Sequence, residues 1–427
     1  MPKDSSQKEV YKTEVVIIGA GPGGSSSAIF LAQRNIKSII IEKDRFPRFH
    51  IGESMTGECG EVVRQLGLGE EISEIRCTVK HKTIVYGQEG KNSFTIPVMK
   101  RNRDGDLIKS TTWQVRRGEF DKLLLDKAKE VGVKFINGKA VNVLFNDDGS
   151  PCGVEVRQDD GTVIDVVGKV VVDASGQATF LSNAGVAGKK ERGKYSRQIA
   201  IYSHVKGARR DEQDNTLIFY EKENHWAWFI PIDEETVSVG VVTPSDYYRE
   251  SGEDLRTFYL REMQKISPEL TKRIPGVSLV EEVRATSNYS YHIHKFTGKG
   301  FLCVGDAHRF IDPIFSFGLQ FALVEGRMAA EAIADYLHEG AGRDQEDPFA
   351  EYGRTCELGM DTIQDSLDCF WGNPFSFAFF VHSRYVEDFI DIFAGRVYQK
   401  NPSPGLRAVR KVNAKMQNMA SEAQEVS

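Results

Sequence analysis

Residues that could carry redox or transfer chemistry stand at three places in this sequence. A glycine-rich segment at 19–24 follows a short aliphatic run, Trp226 and Trp228 are separated by one alanine, and Lys80 precedes the apolar run 83–86. Glycines at such spacing let a backbone approach a pyrophosphate. A lysine amine can donate hydrogen bonds or act as a nucleophile. The glycines predict a dinucleotide cofactor, whereas a lysine on a strand is by itself usually a solvated edge residue.

The glycine-rich segment has the context of a dinucleotide-binding turn. Residues 15–18 predict a buried parallel strand and residues 25–34 a helix, and the segment between them matches G-x-G-x-x-G. Gly19 permits the tight turn, Gly21 lets the backbone approach a pyrophosphate, and Gly24 allows close packing of helix against strand. The helix N-terminus would face the negative charge of the pyrophosphate.

An acidic residue follows at the place where the ribose of a dinucleotide needs one. A second apolar strand is predicted at 38–41, and Glu42 ends it, roughly 20 residues past the glycines. A carboxylate there suits two ribose hydroxyls and repels a 2′-phosphate. The glycines, the strand and the acid together favour a cofactor site over a plain glycine-rich turn.

Three later segments resemble motifs of the para-hydroxybenzoate-hydroxylase-like flavoproteins, which bind FAD. Residues 116–121 are similar to the R-x-x-F-D segment of that superfamily, and residues 171–176 are similar to its D-A-S-G turn. Residues 300–307 form an apolar strand ending in Gly-Asp, whose aspartate contacts the ribityl chain in that superfamily. The cofactor contacts implied by the motifs so far are Gly19, Gly21, Gly24, Glu42, Arg117, Asp173, Gly305 and Asp306.

Three local features resemble the flavin-dependent halogenases within this superfamily. Residues 226–231 match the WxWxIP signature, whose indoles in that family are thought to keep organic substrates away from the flavin. Residues 310–318 match F-x-x-P-x-x-S-x-G immediately after the Gly-Asp. Lys80 follows the Gly-Glu-Ser loop at 52–54, as the essential lysine of the family follows a G-E-[SA] loop, and Lys82 is the alternative.

The proline- and glycine-containing segment after the Gly-Asp predicts an anion site. Pro313 fixes φ and Gly318 frees it, so the turn can present backbone N–H groups at the start of a helix over 319–334. These groups and the positive helix end attract an anion. The resemblance implies chloride or bromide held by Phe317 and Gly318, with Pro313 and Gly318 beside the flavin and Ser316 in catalysis. In a monooxygenase the same amides would contact only the flavin pyrimidine.

The resemblance also implies an oxidant that is made at the flavin and used elsewhere. Hypohalous acid would form from O2 and a halide at reduced FAD, which a separate flavin reductase would deliver. Lys80 would hydrogen-bond the hypohalous acid or become a haloamine, and an electron-rich aromatic ring would be halogenated there. Trp226 and Trp228 would bar that ring from the flavin. The catalytic residues implied are therefore Lys80, Trp226, Trp228 and Ser316.

The residue at position 315 bears on the substrate. Tryptophan halogenases carry a glutamate just before the serine of the F-x-x-P-x-x-S-x-G motif, whereas Phe315 stands here. The segment resembles halogenases of phenols and pyrroles, many of which act on acyl groups tethered to carrier proteins. A carrier protein is acidic, so docking would need a basic patch on the enzyme. Candidate basic residues are Lys189, Lys190, Arg192, Lys194 and Arg197, or the C-terminal arginines Arg407 and Arg410.

Three other functions share part of the pattern. An aromatic hydroxylase would carry the same FAD motifs but insert oxygen without a halide. A geranylgeranyl-reductase-like enzyme has a related aromatic-x-W-x-F-P strand that is usually followed by lysine, whereas Ile232 follows Pro231 here. A flavoprotein could also bind a carrier or sense redox state without catalysis.

Length and composition agree with a cytoplasmic enzyme. The chain has 427 residues and a net charge of −6, which disfavours nucleic-acid binding. The polar N-terminus lacks the pattern of a signal peptide, and no apolar run is long enough for a membrane span. The six cysteines show no C-x-x-C or metal spacing, so we expect reduced thiols and no metal site.

The predicted fold class is α/β, with a Rossmann-like FAD-binding domain, an interleaved β-sheet substrate domain and a C-terminal helical region. Turn residues at 146–149 and 159–161 predict two hairpins on the FAD side. Aromatic residues between 370 and 393 are predicted to close a substrate tunnel over the lysine, to form a hydrophobic groove or to pack on the core. The predicted division is a catalytic module at 1–345, with its FAD layer at 12–75, 139–184 and 297–337 and its substrate-side sheet at 80–115 and 196–294, followed by a helical region at 346–427 that ends in a frayed tail.

Overall fold

The computed structural model describes residues 8–287, 289–340, 342 and 345–425. The helices are α1 (Pro22–Ala32), α2 (Gly57–Gln65), α3 (Arg117–Glu130), α4 (Phe180–Asn183), α5 (Ser245–Ser251), α6 (Leu255–Lys265), α7 (Pro268–Arg273), α8 (Gly318–Ala334), α9 (Ala350–Gly372), α10 (Pro374–Phe379), α11 (Val386–Ala394) and α12 (Pro404–Glu425). The last two residues of the predicted frayed tail lie outside the described residues, and α12 occupies the tail as far as Glu425.

The strands are short and belong to several sheets. In chain order they are β1 (Val10–Lys12), β2 (Val15–Ile18), β3 (Ser38–Glu42), β4 (Cys77–Lys80), β5 (Lys82–Tyr86), β6 (Ser93–Pro97), β7 (Met99–Arg101), β8 (Leu107–Lys109), β9 (Thr112–Val115), β10 (Lys134–Asn137), β11 (Lys139–Phe145), β12 (Pro151–Arg157), β13 (Val163–Val167), β14 (Val170–Asp173), β15 (Glu191–Arg192), β16 (Gln198–Lys206), β17 (Thr216–Lys222), β18 (His225–Pro231), β19 (Thr236–Pro244), β20 (Ser278–Leu279), β21 (Arg284–Ser287), β22 (Tyr291–His292), β23 (Thr297–Gly298), β24 (Phe301–Cys303) and β25 (Arg309–Phe310).

A six-stranded sheet in the order β10-β3-β2-β14-β24-β23 forms the Rossmann-like layer. Its pairs are parallel except for β23 with β24. The continuous aliphatic runs of β2, β3 and β14 are buried throughout, as expected for parallel strands covered on both faces. Helix α1 packs closely on α8, where a Cβ on Gly326 would lie 2.2 Å from the Ser26 hydroxyl oxygen. The predicted α/β class with a Rossmann-like layer is confirmed.

Both predicted hairpins form, but in a separate sheet. Strands β11 and β12 pair antiparallel across the turn at 146–150, and β12 pairs antiparallel with β13 across the turn at 158–162. Strand β1 completes this four-stranded sheet beside β13. The Rossmann-like layer also draws β10 from a part of the chain that the predicted FAD layer did not include.

The large sheet holds both tryptophans at its centre. Its strands run β20-β16-β19-β18-β17-β5-β6, with β21 also paired to β16. Every residue of β18 is buried, because one face of the sheet packs on α6 and α7 and the other faces the C-terminal helices. Strand β5 joins β17 in parallel, which brings residues 82–86 next to the tryptophan-bearing hairpin.

The C-terminal helices share one hydrophobic cluster with the large sheet. Phe377 and Phe389 are buried in the cluster that also contains Trp226 and Trp228, whereas Phe375 is 90% exposed. The predicted packing of C-terminal aromatic residues against the core therefore involves only part of the set. Because this cluster unites the sheet and the helices, the division into a module at 1–345 and a C-terminal region stays a prediction.

Two features bear on the expectations from composition. All six cysteines are free thiols, four of them buried. Within the ranges that the structure describes, no helix has the length and apolar character needed to cross a membrane.

Candidate active site

A cavity of about 680 Å³ lies between the Rossmann-like layer and the large sheet. This volume falls within the range of cofactor and small-molecule sites. The glycine-rich turn lines one part of the cavity, and Trp226 and Trp228 line another. The residues predicted from distant parts of the sequence therefore meet around one space.

The glycine-rich turn has the geometry of a pyrophosphate site. Gly19 has a φ of +102°, and a Cβ there would lie 2.4 Å from the carbonyl oxygen of Ala174. Gly21 caps α1, whose N-terminus at Pro22 is on the cavity wall. Gly24 is not on the wall. A Cβ on Gly24 would lie 1.9 Å from the carbonyl oxygen of Gly19, so Gly24 serves the close packing of helix and strand.

Glu42 is fixed at the end of β3 by backbone groups. Its carboxylate accepts hydrogen bonds from the amides of Ala20, at 2.9 Å, and Asp44, at 2.8 Å. The side chain is buried and lines the cavity. Each carboxylate oxygen retains capacity for a further hydrogen bond, which suits ribose hydroxyls.

Arg117 is held rigidly at the start of α3. Its guanidinium binds both carboxylate oxygens of Asp121, at 2.8 and 3.0 Å, and donates to the carbonyls of Ile51 and Gly52. This positive charge lowers the pKa of His50 to about 4. Arg117 and His50 both line the cavity, so this wall carries a fixed cation beside a neutral imidazole.

Asp173 serves the turn rather than the cavity wall. Its buried carboxylate accepts hydrogen bonds from the amides of Ser175, at 3.0 Å, and Leu181, at 2.7 Å. The turn that follows, residues 174–178, lines the cavity. The predicted contact of Asp173 with a cofactor therefore remains a prediction, and what the structure gives this residue is a role in shaping the turn.

The Gly-Asp turn places Asp306 on the cavity wall and Gly305 behind it. Burial raises the pKa of Asp306 to about 7. The amide of Gly305 donates to Glu325 at 2.7 Å, and the same carboxylate oxygen lies 2.9 Å from Nε2 of His308. Neither Glu325 nor His308 belongs to a motif that the sequence singled out, but together they anchor this turn.

The two tryptophans lie on one face of β18, as their spacing predicts. Their ring centroids are 5.9 Å apart, and both side chains are buried. Trp228 donates its indole N–H to Ser238 at 3.1 Å. Gly240 lies opposite Trp228 on β19, and a Cβ there would be 2.2 Å from the indole. Gly240 thus provides the space that the ring occupies, a requirement that the sequence did not reveal.

The predicted anion turn is formed as a short 3₁₀ segment that leads into α8. Pro313 begins the segment, Ser316 has a φ of +59°, and Phe317 caps the helix. The first N–H groups of a helix lack intrahelical acceptors. In the described part of the chain, nothing lies within 4 Å of a Cβ built on Gly318, so this glycine borders open cavity. Pro313, Ser316, Phe317 and Gly318 all line the cavity.

Asp312 is a buried acid on the cavity wall that the sequence did not single out as functional. One carboxylate oxygen accepts the amide of Ile314 at 3.0 Å, while the other has no hydrogen-bond partner among the described residues. Burial raises the pKa of Asp312 to about 7. The signal that could have found it is its position as the residue before Pro313.

Lys80 lies outside the main cavity in a small cavity of its own. Its side chain is 5% exposed and donates hydrogen bonds to the Ser54 hydroxyl, at 2.9 Å, and the Met55 carbonyl, at 3.0 Å. Burial lowers its pKa to about 7. Lys82 is on neither wall, so the geometry favours Lys80 as the reactive amine.

The small cavity measures about 30 Å³ and has both polar and apolar atoms in its wall. Phe315 closes it beside the anion turn, and Phe393 closes it from α11. Ile218, on β17, lines both cavities. The Gly-Glu-Ser loop lines the main cavity while Ser54 binds the lysine, so this loop lies between the two cavities.

The donor set of the main cavity fits FAD. The N-terminus of α1 suits the pyrophosphate, and the Glu42 carboxylate suits a ribose. The turn that Gly318 borders leaves room for a flat ring. The residues predicted for the cofactor are on this wall except Gly24, Asp173 and Gly305, which support it from behind.

Comparison with known proteins gives consistent results. Residues 12–356 match the FAD binding domain family. A 1H-pyrrole-2-carbonyl-[peptidyl-carrier protein] brominase of Pseudoalteromonas luteoviolacea is 40% identical over 383 residues, 89% of this chain and 91% of the relative. The corresponding chlorinase of Pseudomonas fluorescens is 30% identical over 95% of this chain and 94% of the relative. The solved structure of the flavin-dependent brominase Bmp2 matches with a TM-score of 0.85 and 36% identity, covering 97% of this chain and 100% of that one.

These matches span both cavities and confirm the resemblance drawn from the sequence motifs. The FAD binding domain covers the glycine-rich turn, the Gly-Asp turn and the anion turn. The relatives, which are named for bromination and chlorination, extend over most of the chain. The chain therefore belongs to the flavin-dependent halogenases.

Proposed function

We propose that this halogenase uses reduced FAD, O2 and bromide or chloride to halogenate a pyrrole acyl group carried on a peptidyl carrier protein. The observation that carries the proposal is the separation of a buried lysine from the cofactor cavity. A hydroxylase would need its aromatic substrate against the flavin, whereas here the cofactor cavity and the Lys80 cavity are distinct. The carrier-bound pyrrole is proposed because two relatives are named for that substrate.

The main cavity would hold the cofactor and the halide. Gly21 and the N-terminus of α1 would face the pyrophosphate, Glu42 a ribose, and Asp306 the ribityl chain. Phe317 and Gly318 would hold the halide beside the ring. When bound, reduced FAD supplies hypohalous acid from O2 and the halide. A separate flavin reductase is the proposed source of the reduced cofactor.

Lys80 would transfer the halogen in two balanced steps. The neutral amine attacks the halogen of hypohalous acid, an N–halogen bond forms, and the hydroxide released takes a proton from nitrogen and leaves as water. An electron-rich carbon then attacks the halogen, the N–halogen bond breaks, and the ring proton returns to nitrogen. A pKa of about 7 leaves a large neutral fraction of Lys80 near neutral pH. The ammonium form could instead hydrogen-bond the hypohalous acid.

Trp226 and Trp228 would exclude the organic ring from the flavin. Their indoles form part of the cavity wall from a strand buried on both faces, so neither ring can move without disturbing the sheet. Ser238 accepts a hydrogen bond from the Trp228 indole, and Gly240 leaves the space that the ring occupies. Hypohalous acid has three atoms and needs far less space than a pyrrole. The same wall can therefore let the acid pass and exclude the pyrrole ring.

Substrate entry would require movement of the C-terminal layer. A cavity of about 30 Å³ is the size of one or a few water molecules and is too small for a pyrrole ring. Phe393 belongs to α11, which is a short helix, whereas the opposite wall is formed by strands of the large sheet. We therefore infer that α11 shifts to admit the pyrrole.

The C-terminal helix α12 carries one candidate surface for an acidic carrier. Arg407, Lys411 and Lys415 are exposed at intervals of four residues, which places them on one face of the helix. Among residues that the structure describes, no carboxylate forms an ion pair with any of the three. By contrast, Lys194 and Arg410 are paired with Asp368 and Asp365 of α9.

Charge reversal tests this docking surface. We expect the double variant Arg407→Glu and Lys411→Glu to weaken carrier binding by about tenfold at low salt, with a smaller difference at high salt. The matched control reverses the exposed Lys12, at the end of β1, and the exposed Lys37, just before β3; neither forms an ion pair with a carboxylate of the described residues. Equal carrier affinity for both double variants, measured by titration calorimetry, would contradict docking on α12.

We infer that the enzyme works in the cytoplasm. Six free cysteines suit a reducing compartment. The carrier-bound substrate would be present in the compartment where the carrier protein receives its acyl group.

A halide-dependence assay tests the proposed function. The protein is incubated with FAD, a flavin reductase system and pyrrole-2-carbonyl carrier, with and without bromide, and the carrier is analysed by mass spectrometry. We expect replacement of ring hydrogen by bromine only when bromide is present, and no product from the free acid. Oxygen insertion without halide would support a hydroxylase, and saturation of an alkene would support a reductase of the geranylgeranyl type.

A further inference from the structure

A chain of buried hydrogen bonds leads away from Lys80. Nζ of Lys80 donates to the Ser54 hydroxyl at 2.9 Å, that hydroxyl lies 2.6 Å from the Thr216 hydroxyl, and Thr216 donates to Oε1 of Gln114 at 2.6 Å. All four side chains are buried. They come from β4, the Gly-Glu-Ser loop, β17 and β9. We call these four side chains the relay, and it forms only in the folded protein.

Gln114 gives the relay a single direction. Its amide nitrogen donates to the carbonyl of Asp214, at 3.1 Å, and to the carbonyl of Pro231, at 2.7 Å. A carbonyl can only accept, so the nitrogen must face these two groups and Oε1 must face Thr216. A hydroxyl has one hydrogen. Thr216 therefore donates to Gln114 and accepts from Ser54, and Ser54 in turn accepts from Lys80.

This direction determines which part of the Lys80 nitrogen is free. A neutral amine has two N–H groups and one lone pair. The two N–H groups are used by the Ser54 oxygen and the Met55 carbonyl, so the lone pair takes the remaining direction. If the relay were reversed, Ser54 would donate its hydrogen to the lone pair and occupy it. The Ser54 and Thr216 side chains also line the main cavity, so the relay stands at the partition between the two cavities.

We propose that Gln114 and Thr216 are positioning residues that fix the Ser54 hydroxyl as an acceptor and thereby keep the Lys80 lone pair free to take the halogen. The inference rests on the proposed function, because it concerns the same lysine. Neither residue touches the substrate or the halogen; each acts through Ser54.

Thr216→Val tests the relay with little change in shape. Valine removes the hydroxyl, so Ser54 loses its acceptor and can donate to the amine. We expect the yield of halogenated carrier per reduced FAD consumed to fall about tenfold, as for the loss of one hydrogen bond of about 1.4 kcal/mol. Hypohalous acid trapped in solution by a small-molecule scavenger should rise in proportion. Thr216→Ser should restore the wild-type yield.

A second readout does not require turnover. The titration of Lys80 is followed by NMR in protein labelled with ¹³C at the lysine ε-carbons, with Lys80→Met for assignment. A hydroxyl that donates to the neutral amine favours the neutral form, so Thr216→Val should lower the pKa of Lys80 further below its wild-type value of about 7. Thr216→Ser should leave the titration unchanged.

Thr243→Val is the matched control. Thr243 is buried in β19 of the same sheet, and its hydroxyl has no hydrogen-bond partner among the described residues. This variant should keep the wild-type yield and the wild-type Lys80 titration. If Thr216→Val fails to fold, Gln114→Met removes the terminal acceptor instead and should give the same two changes.

The outcomes separate the inference from the proposed function. Wild-type yield and unshifted Lys80 titration in Thr216→Val, or in Gln114→Met where it replaces that variant, would overturn the relay while leaving the halogenase intact. Equal losses in Thr216→Val and Thr243→Val would assign the effect to packing and also overturn it. A wild-type protein that makes no halogenated carrier would instead refute the proposed function.

Discussion

Replacing Lys80 by methionine should stabilise the fold at low pH while abolishing halogenation. The pKa of Lys80 falls from 10.5 to about 7 on burial, which corresponds to about 5 kcal/mol of cost for the buried ammonium. Methionine has similar length and no charge. The Ser54 and Met55 oxygens would lose a donor, which costs about 1 to 3 kcal/mol. A net gain of about 2 to 4 kcal/mol in the free energy of unfolding is therefore expected near pH 6.

The pH dependence of this gain has a definite sign. The folded pKa is below the unfolded pKa, so the unfolded state binds more protons between about pH 7 and 10.5. The cost of burying Lys80 is full below about pH 7 and vanishes as the pH approaches 10.5. The advantage of the methionine variant should therefore shrink by about 3 kcal/mol between pH 6 and pH 9. This change is independent of any difference in packing.

Denaturant titrations of both proteins at pH 6 and pH 9 measure the stability difference, and mass spectrometry of the carrier measures halogenation. Lys82→Met is the control, because Lys82 is only partly buried and lines neither cavity. It should halogenate normally. Wild-type halogenation by Lys80→Met, with loss of halogenation in Lys82→Met, would refute the assignment of the reactive amine. A pH-independent stability difference would refute the lowered pKa.

Three further outcomes follow from the site. Glu42→Ala should weaken FAD binding by about tenfold without changing the products of the remaining holoenzyme, and unchanged flavin affinity by fluorescence titration would contradict the ribose role. Gly240→Ala would place a Cβ 2.2 Å from Trp228, so we expect a loss of about 1 to 3 kcal/mol in unfolding free energy, and a neutral result would contradict the close contact. The single-turnover rate of halogen transfer should rise about tenfold from pH 6 to pH 8 and then level off, because the pKa of Lys80 is about 7; a steady rise to pH 10 would contradict it.

The sequence predicted the parts of the site that depend on local motifs. The glycine-rich turn, the two hairpins and the common face of Trp226 and Trp228 follow from periodicity and turn chemistry within short windows. Both Lys80 and Lys82 follow the Gly-Glu-Ser loop, and Lys80 was chosen because it precedes the apolar run 83–86 as the family lysine precedes its strand. The structure adds a physical reason, since only Lys80 is enclosed in a cavity and bonded to that loop.

The relay could not have been predicted because its members meet only through sheet pairing. Gln114 and Thr216 are 102 residues apart, and each lies on a strand whose partner was unknown from the sequence. A glutamine and a threonine in strands carry no pattern that marks them as functional. Their roles become visible only from the direction of their hydrogen bonds.

Other differences also arise from tertiary placement. Asp173 stands in a motif, yet its carboxylate is used by two backbone amides of its own turn. Gly240 was unremarkable in the sequence because the ring that needs its space lies on the neighbouring strand. Phe375 is one of the aromatic residues between 370 and 393, and it projects from α10 into solvent, since aromatic content alone does not tell which side of a helix faces the core.

The central claim is that the oxidant forms in one cavity and is used in another. A crystal structure of the enzyme with FAD and a pyrrole-2-carbonyl pantetheine tests it most directly. We expect the pyrrole ring in an enlarged Lys80 cavity between Phe315 and Phe393, with Nζ of Lys80 facing a ring carbon and Trp226 and Trp228 still closing the cofactor cavity. A pyrrole ring inside the cofactor cavity, stacked on the flavin, would contradict the account.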